Sequence, residues 1–187
     1  MSELQEHFDA LFSGDADPWK YRSTWAERRR LDLILAMLPT ERYDCVFEPA
    51  CATGTLTQRL ATRAQRIVAW DGSPHAISHA ERDGNCSSNV EYAVRTVPES
   101  WPDMPCDLVV LSDFLYYLPA ELVRTVATLA ERTVARGGSI IGCHWRGSAH
   151  DFRLPGGDAV HTELAEILGR PDASYRDDFH ILQVWTR

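Results

Sequence analysis

The sequence predicts an α/β protein built on a doubly wound, mostly parallel sheet, and three observations lead there. Short apolar runs of strand length recur at 45–48, 66–70, 90–94, 108–112, 139–144 and 179–185. Segments of helical periodicity lie between most of them. The length of 187 residues, 44% of them hydrophobic, suits a single domain with a real core. Strands alternating with helices of this length pack as the crossovers of a parallel sheet.

Taken in order, a helix over 28–38 carries Leu31, Ile34, Leu35 and Leu38 on one face and stops at Pro39. The strand at 45–48 leads into a helix over 55–63 held by Leu56 and Leu60. After the strand at 66–70, Ser73 serves as cap and Pro74 opens a helix to Asp83 with Ile77 and Ala80 turned inward. The stretch from Pro98 to Pro105 is short and Pro-rich, so the crossover between 90–94 and 108–112 is expected to lack a full helix. A helix over 120–134 is expected to end at Gly137-Gly138, and another spans 158–168 with Val160, Leu164 and Leu168 inside. Segments 172–178 and 179–186 are close enough for a hairpin, which brings the sheet to seven strands with an antiparallel last one.

Composition narrows the function. With 19 basic against 27 acidic residues the formal charge is −8, which disfavours nucleic acid because phosphate binding needs a basic stripe, and only Glu27-Arg28-Arg29-Arg30 approaches one. No apolar run reaches the roughly 18 to 20 residues of a spanning helix, so no membrane partner is expected. The opening Met1-Ser2-Glu3-Leu4-Gln5-Glu6-His7 lacks the basic and apolar regions of a signal peptide, and a cytoplasmic protein is the expectation. Cys45, Cys51, Cys86, Cys106 and Cys143 are odd in number and contain no Cys-x-x-Cys pair, so neither a disulfide framework nor a metal site is expected. Cys45 and Cys143 read as small buried hydrophobes. Lys20 is the sole lysine, so Schiff-base chemistry would rest on it alone. Nothing in the sequence speaks to oligomeric state.

In doubly wound sheets ligands bind at the carboxyl ends of the strands, where the strand order reverses. The first such end reads Glu48-Pro49-Ala50-Cys51-Ala52-Thr53-Gly54-Thr55-Leu56, an acid followed by small residues and a glycine that enters a helix. A carboxylate there repels phosphate and suits a ligand carrying an amine, and the loop departs from the Gly-x-Gly-x-x-Gly turn that presents amides to a pyrophosphate. The second strand ends at Asp71-Gly72-Ser73, where the acid can accept both hydroxyls of a ribose or merely serve as a turn residue. The fourth ends at Ser112-Asp113, followed by Tyr116-Tyr117; Asp113 either orients or deprotonates a nucleophile or caps the next short helix. The fifth ends Cys143-His144-Trp145-Arg146, with His144 a candidate base or substrate contact, or a satisfied partly buried histidine.

These residues together resemble the class I S-adenosylmethionine (AdoMet) methyltransferases and, more narrowly, the nodulation protein S group of N-methyltransferases. The narrower resemblance is carried by Asp17-Pro18-Trp19, Arg22 through Trp25-Ala26-Glu27-Arg28-Arg29, Glu48-Pro49-Ala50-Cys51, Val97-Pro98-Glu99-Ser100-Trp101-Pro102, Leu111-Ser112-Asp113-Phe114-Leu115-Tyr116-Tyr117-Leu118, His144-Trp145-Arg146 and Val184-Trp185. It implies a Rossmann-like sheet, AdoMet as cofactor with S-adenosylhomocysteine as product, and a helical lid or cap over 1–40 ahead of a core over 41–187. It further implies that the loop from Glu48 through Ala50 to Gly54, entering its helix at Thr55 and Leu56, wraps the methionine moiety. Asp71, with Gly72 and Ser73 after it, would hold the ribose. Thr96 and Val97 would flank the adenine, and Ser112 and Asp113 would lie beneath the sulfonium with Tyr117 near them. In the cap, Arg28 would pair the methionine carboxylate and Trp19 cover the cleft; the plainer reading of 15–30 is an amphipathic helix with its aromatics on the sheet. Two departures stand out. Ala50 and Ala52 occupy positions where glycine is usual, which an alanine methyl tolerates if φ is negative, and Thr96 replaces an acid that reads the adenine amino group.

Methyl transfer from a sulfonium is an in-line displacement in which the protein supplies mainly orientation and exclusion of water. An amine must arrive uncharged, so Asp113 and His144 are the candidate catalytic residues, whereas a hydroxyl acceptor needs a stronger base or a metal. The expected reaction is N-methylation of a small-molecule acceptor. The narrower resemblance implies an amino sugar of a deacylated chitooligosaccharide. The alternatives are O- or N-methylation of another small metabolite and a non-catalytic AdoMet-binding module. The missing glycine fingerprint argues against a nicotinamide oxidoreductase.

Overall fold

Seven strands form one sheet in the computed structural model, which describes residues 3–83 and 87–187. They are β1 (Tyr43–Pro49), β2 (Ala64–Asp71), β3 (Val90–Val94), β4 (Cys106–Ser112), β5 (Val134–Trp145), β6 (Ala173–Arg176) and β7 (His180–Thr186), in the order β3-β2-β1-β4-β5-β7-β6. β1 with β2, β2 with β3, and β4 with β5 pair parallel, while β7 runs antiparallel to both β5 and β6. Six helices accompany them among the described residues: α1 (Glu3–Gly14), α2 (Trp25–Met37), α3 (Thr55–Leu60), α4 (Pro74–Asp83), α5 (Ala120–Thr133) and α6 (Gly157–Leu168). Cys86, counted above among the thiols, lies outside the described residues.

The chain gathers into two compact units, Met1–Leu35 with Glu41–Ser100, and Ala36–Thr40 with Trp101–Arg187. In the first, Val46, Phe47, Ile67 and Ala69 from the strands meet Leu31, Ile34, Leu56, Leu60, Ile77 and Ala80 from the helices, all buried. α4 starts as its sequence dictates: the Ser73 hydroxyl accepts from the Ala76 amide at 3.1 Å, and Pro74 takes the first helical position. α1 is fastened to the start of α4. Ser73 Oγ donates to Asp9 Oδ1 at 2.6 Å, the same oxygen accepts the His75 amide, and His79 Nε2 meets the Phe12 carbonyl at 3.1 Å. Of the residues expected to form a cap, 1–35 belong to this unit and 36–40 to the other.

In the second unit Leu108, Val110, Ile141, Leu182 and Val184 face Val123, Val126, Ala127, Val160 and Leu164. α5 stops at Thr133 and β5 begins at once with Val134, so Gly137-Gly138 does not close the helix as expected. The pair serves the sheet instead. Gly137 sits at φ +82° within β5, the register against β4 shifts there, and a Cβ on Gly138 would lie 2.8 Å from the Asp107 carbonyl oxygen. The Pro-rich crossover between β3 and β4 holds no helix. The helix expected over 55–63 divides into α3 and a single 3-10 turn, Ala61–Arg63.

Candidate functional site

Within the first unit the loop after β1 is built on left-handed backbone. Ala50, Ala52 and Gly54 sit at φ +54°, +50° and +74°. The alanines therefore adopt the conformation that their methyl groups disfavour, contrary to the negative φ expected from sequence. Three hydrogen bonds hold them there: the Cys51 amide donates to the Trp70 carbonyl, the Ala52 amide to Asp71 Oδ2 and the Gly54 amide to the Cys51 carbonyl, at 2.9 to 3.0 Å. Gly54 has no substitute, because a Cβ would lie 2.5 Å from the Tyr92 hydroxyl. Leu56 at the start of α3 turns into the core.

Two buried acids flank this loop. Burial pushes Glu48 up to about 7; the Thr57 hydroxyl, donating to its Oε2 at 2.7 Å, and the nearby Arg30 guanidinium oppose that rise, and Asp71 adds to it. Burial likewise pushes Asp71 up to about 6, against the amides of Ser73 and Ala52, each 2.9 Å from one of its oxygens. Asp71 therefore ties the first loop to the Gly72-Ser73 turn, more than a turn residue alone does. Beyond β3, Gln5 of α1 hydrogen-bonds the Thr96 hydroxyl, and Gln5, Val94, Arg95, Thr96, Glu99 and Ser100 line an open cleft of about 430 Å³. Val97, next in the chain, joins Pro98 through a cis peptide bond.

The cations are not where the sequence put them. Arg28 is exposed and donates to the Ser23 carbonyl at 2.8 Å. Two residues on along α2, about 200° round the helix, Arg30 is buried with Leu31 and Ile34 and pairs with Glu27 at 2.8 Å. Arg22, ahead of α2, reaches the loop itself: its Nη2 meets the Thr53 carbonyl at 3.5 Å, its Nε the Thr55 hydroxyl at 3.4 Å, and its Nη1 Asp83 at 2.6 Å. Trp19 is half-buried, stacked on Tyr21 and set against Phe8 and Phe12. Trp19 thus packs against aromatics of α1.

The second unit carries the other strand ends. After Ser112, Asp113 takes φ +53°, donates its amide to the Cys143 carbonyl, and accepts on Oδ1 from the Trp145 amide at 2.7 Å and the Tyr116 hydroxyl at 3.1 Å. It binds β4 to β5, and the cap position of the short helical turn at Leu115–Tyr117 falls on Phe114, with no side-chain cap. The Tyr116 ring stacks on Phe152 at 3.9 Å and Tyr117 meets the same ring edge-on at 5.0 Å. His144 is 0% exposed. Its Nδ1 lies 3.2 Å from His161 Nε2, and its ring stands edge-on to Tyr116 at 5.8 Å. With its ring fully enclosed in this structure, His144 adjoins the strand end through Tyr116. Arg22, Arg30, Tyr116, Phe152 and His161 join the picture only through the structure. Arg22 and Tyr116 stand inside quoted motifs, whereas nothing local in the sequence marks His161.

The donor set fits AdoMet. An acid-flanked loop of small residues suits an ammonium, Asp71 retains acceptor capacity for hydroxyls, and the Thr53 hydroxyl is buried in the same loop with no hydrogen-bond partner among the described residues.

Comparison with known proteins places these features in a family. The model of the nodulation protein S (NodS) family matches residues 8–138. Nodulation protein S of Rhizobium tropici is 30% identical over 161 residues, covering 81% of this chain and 66% of that protein, so the chain spans just under two thirds of that relative's length. A crystal structure of a Pseudomonas syringae protein assigned as a methyltransferase shares 34% identity over 88% of this chain and 100% of that one, with a TM-score of 0.75. The N-methyltransferase NodS of Bradyrhizobium japonicum, crystallised with S-adenosylhomocysteine, has the same fold at a TM-score of 0.83, with 23% identity and 98% of each chain covered.

Proposed function

The chain belongs to the nodulation protein S family, and from that premise we propose that it transfers the methyl group of AdoMet to an amine of a small molecule, an amino sugar of the deacylated chitooligosaccharide type being the favoured acceptor. The single observation that supports this most is the loop after β1, where two buried acids and an orphaned hydroxyl surround small residues in left-handed backbone. When bound, AdoMet supplies a methyl carbon on a sulfonium, already carrying its leaving group.

The protein's own residues bind and orient. Glu48 offers negative charge behind the loop that faces the methionine ammonium, and Arg22 supplies the cation beside that loop for the carboxylate, the role first assigned to Arg28. Asp71 accepts the ribose hydroxyls, flanked by Gly72 and Ser73, while Thr96 and Val97 border the adenine. Residues 1–40 act as the cap over this half, with Gln5 meeting Thr96 and Asp9 meeting Ser73, and Trp19 rigidifies the cap. On the second unit, Ser112, Asp113 and Tyr117 form the acceptor end, and the Asp113 carboxylate takes up the proton that an ammonium must lose before it attacks. His144 serves there indirectly. Single-turnover rates and AdoMet dissociation constants for Asp113→Asn and Tyr116→Phe test this reading: the rate should fall 10²-fold or more in Asp113→Asn with cofactor affinity held. Loss of affinity in step with rate would move Asp113 to the cofactor.

A further inference from the structure

Behind the acceptor-side strand end runs a polar chain through an otherwise apolar core. Gln183 on β7 presents Oε1 2.8 Å from His161 Nδ1 on α6, and His161 Nε2 lies 3.2 Å from His144 Nδ1 on β5. His144 and His161 are buried, and Trp185 stacks on His161 at 6.1 Å. A carbonyl oxygen only accepts, so His161 carries its hydrogen on Nδ1. Its Nε2 is then the acceptor for a hydrogen on His144 Nδ1, which leaves Nε2 of His144 unprotonated. Gly142 leaves the room this needs, since a Cβ there would lie 3.1 Å from the His161 ring. Buried polar rings cost more than apolar side chains of similar volume unless they are hydrogen-bonded, and these two are bonded to each other and to Gln183. What they abut is the ring of Tyr116, edge-on to His144 and donating through its hydroxyl to Asp113.

We propose that His161 and Gln183 are positioning residues for methyl transfer, fixing the tautomer and plane of His144 and, through its contact with Tyr116, the carboxylate of Asp113. The proposal rests on the reading above that Asp113 serves the acceptor. Burial holds His161 down at about 4, while its hydrogen bond to Gln183 and the charges of Asp158, itself paired with Arg146 and Arg176, and of Asp113 act in the opposite direction. His161 therefore orients and does not titrate across the working range.

Three variants in the full-length protein test it, with the rate plateau and midpoint read over pH 5.5–9 together with KM and AdoMet affinity. His161→Leu should lower kcat about tenfold with the acceptor KM and AdoMet affinity little changed, since a small misplacement of a reacting group costs rate, and it should lower the melting temperature modestly because the buried His144 Nδ1–H loses its acceptor. His161→Gln, whose amide can both accept from His144 and donate to Gln183, should restore most of kcat, and Gln183→Met should behave like His161→Leu. Nitrogen-15 spectra should show His144 as the Nδ1-protonated tautomer in the wild type and a mixed tautomer in His161→Leu. An unchanged kcat in His161→Leu, a loss matched by falling stability with no rescue by glutamine, or an Nε2-protonated His144 in the wild type overturns the proposal. If Asp113→Asn itself keeps full activity, the underlying acceptor reading fails first, and the two failures are told apart.

Discussion

Replacing Ala50 and Ala52 by glycine should stabilise the protein, although both changes remove buried or half-buried methyl groups. Each alanine sits at a φ near +50°. A left-handed conformation costs an L-residue about 1 to 2 kcal/mol, and glycine escapes it. Against that stands the greater freedom of glycine in the unfolded chain, about 0.5 to 1 kcal/mol. The difference runs from about 0 to 1.5 kcal/mol in favour of glycine at each site, about 0.75 at its centre. For a chain of 187 residues the double variant should melt roughly 3 to 6 °C higher, at about 2 to 4 °C per kcal/mol. AdoMet affinity should hold or improve, because the loop keeps its shape. Urea denaturation and thermal melts of Ala50→Gly, Ala52→Gly and the pair read the effect, with Ala76→Gly in the interior of α4 as the control that should lose about 1 kcal/mol. If the loop variants lose stability as the helical control does, the left-handed loop is wrong.

Three further outcomes follow from the same site. Asp71→Ala should weaken AdoMet binding by about 1 to 3 kcal/mol through unpaired polar partners, and it also frees the Ala52 and Ser73 amides; unchanged affinity by calorimetry would remove Asp71 from the ribose site. Glu48 and Asp71 are raised in the folded state to about 7 and 6, so the folded protein holds protons that the unfolded chain has released. Their stabilisation is complete below the ordinary carboxylate range and lost as pH rises through 6 to 7. Ligand-free melting temperature should therefore fall over that window while AdoMet affinity rises with proton release, and a melting temperature that climbs from pH 5 to 7 contradicts the burial of these acids. Arg22→Ala should reduce AdoMet affinity severalfold and Arg28→Ala leave it within twofold, in parallel titrations; the opposite ranking restores the original assignment.

Much of the fold was legible because each element announces itself locally. Ser73-Pro74 starts a helix wherever it meets an amphipathic run, and the Pro-rich stretch before β4 excludes one. Hairpin spacing near the C-terminus gave the antiparallel strand. What stayed hidden depends on partners far along the chain. Gly137-Gly138 looks like a helix stop until β4 is laid beside it and the close approach to Asp107 becomes the reason for glycine. Ala50 and Ala52 show in the sequence only as departures from glycine, and their left-handed turns become visible once the Asp71 carboxylate and the Trp70 carbonyl are seen to hold the loop amides. Arg28 and Arg30 are separated by helix phase once Leu31 and Ile34 are known to be the buried face, whereas Arg22 lies ahead of α2 and reaches the loop only through the fold. His144 read as a base, a substrate contact or a partly buried histidine, and the choice stayed open because its surroundings include α6, whose His161 no local motif connects to it.

The central claim is methyl transfer to an amine, and a competition between two acceptors tests it most directly. The protein would be incubated with methyl-labelled AdoMet and an equimolar mixture of a chitooligosaccharide with a free terminal amine and its fully N-acetylated counterpart, followed by mass spectrometry of both sugars and quantification of S-adenosylhomocysteine. The account predicts label on nitrogen of the free-amine sugar alone, with one S-adenosylhomocysteine formed per methyl transferred. Label on oxygen, equal labelling of both sugars, or cofactor binding without transfer to either would contradict it.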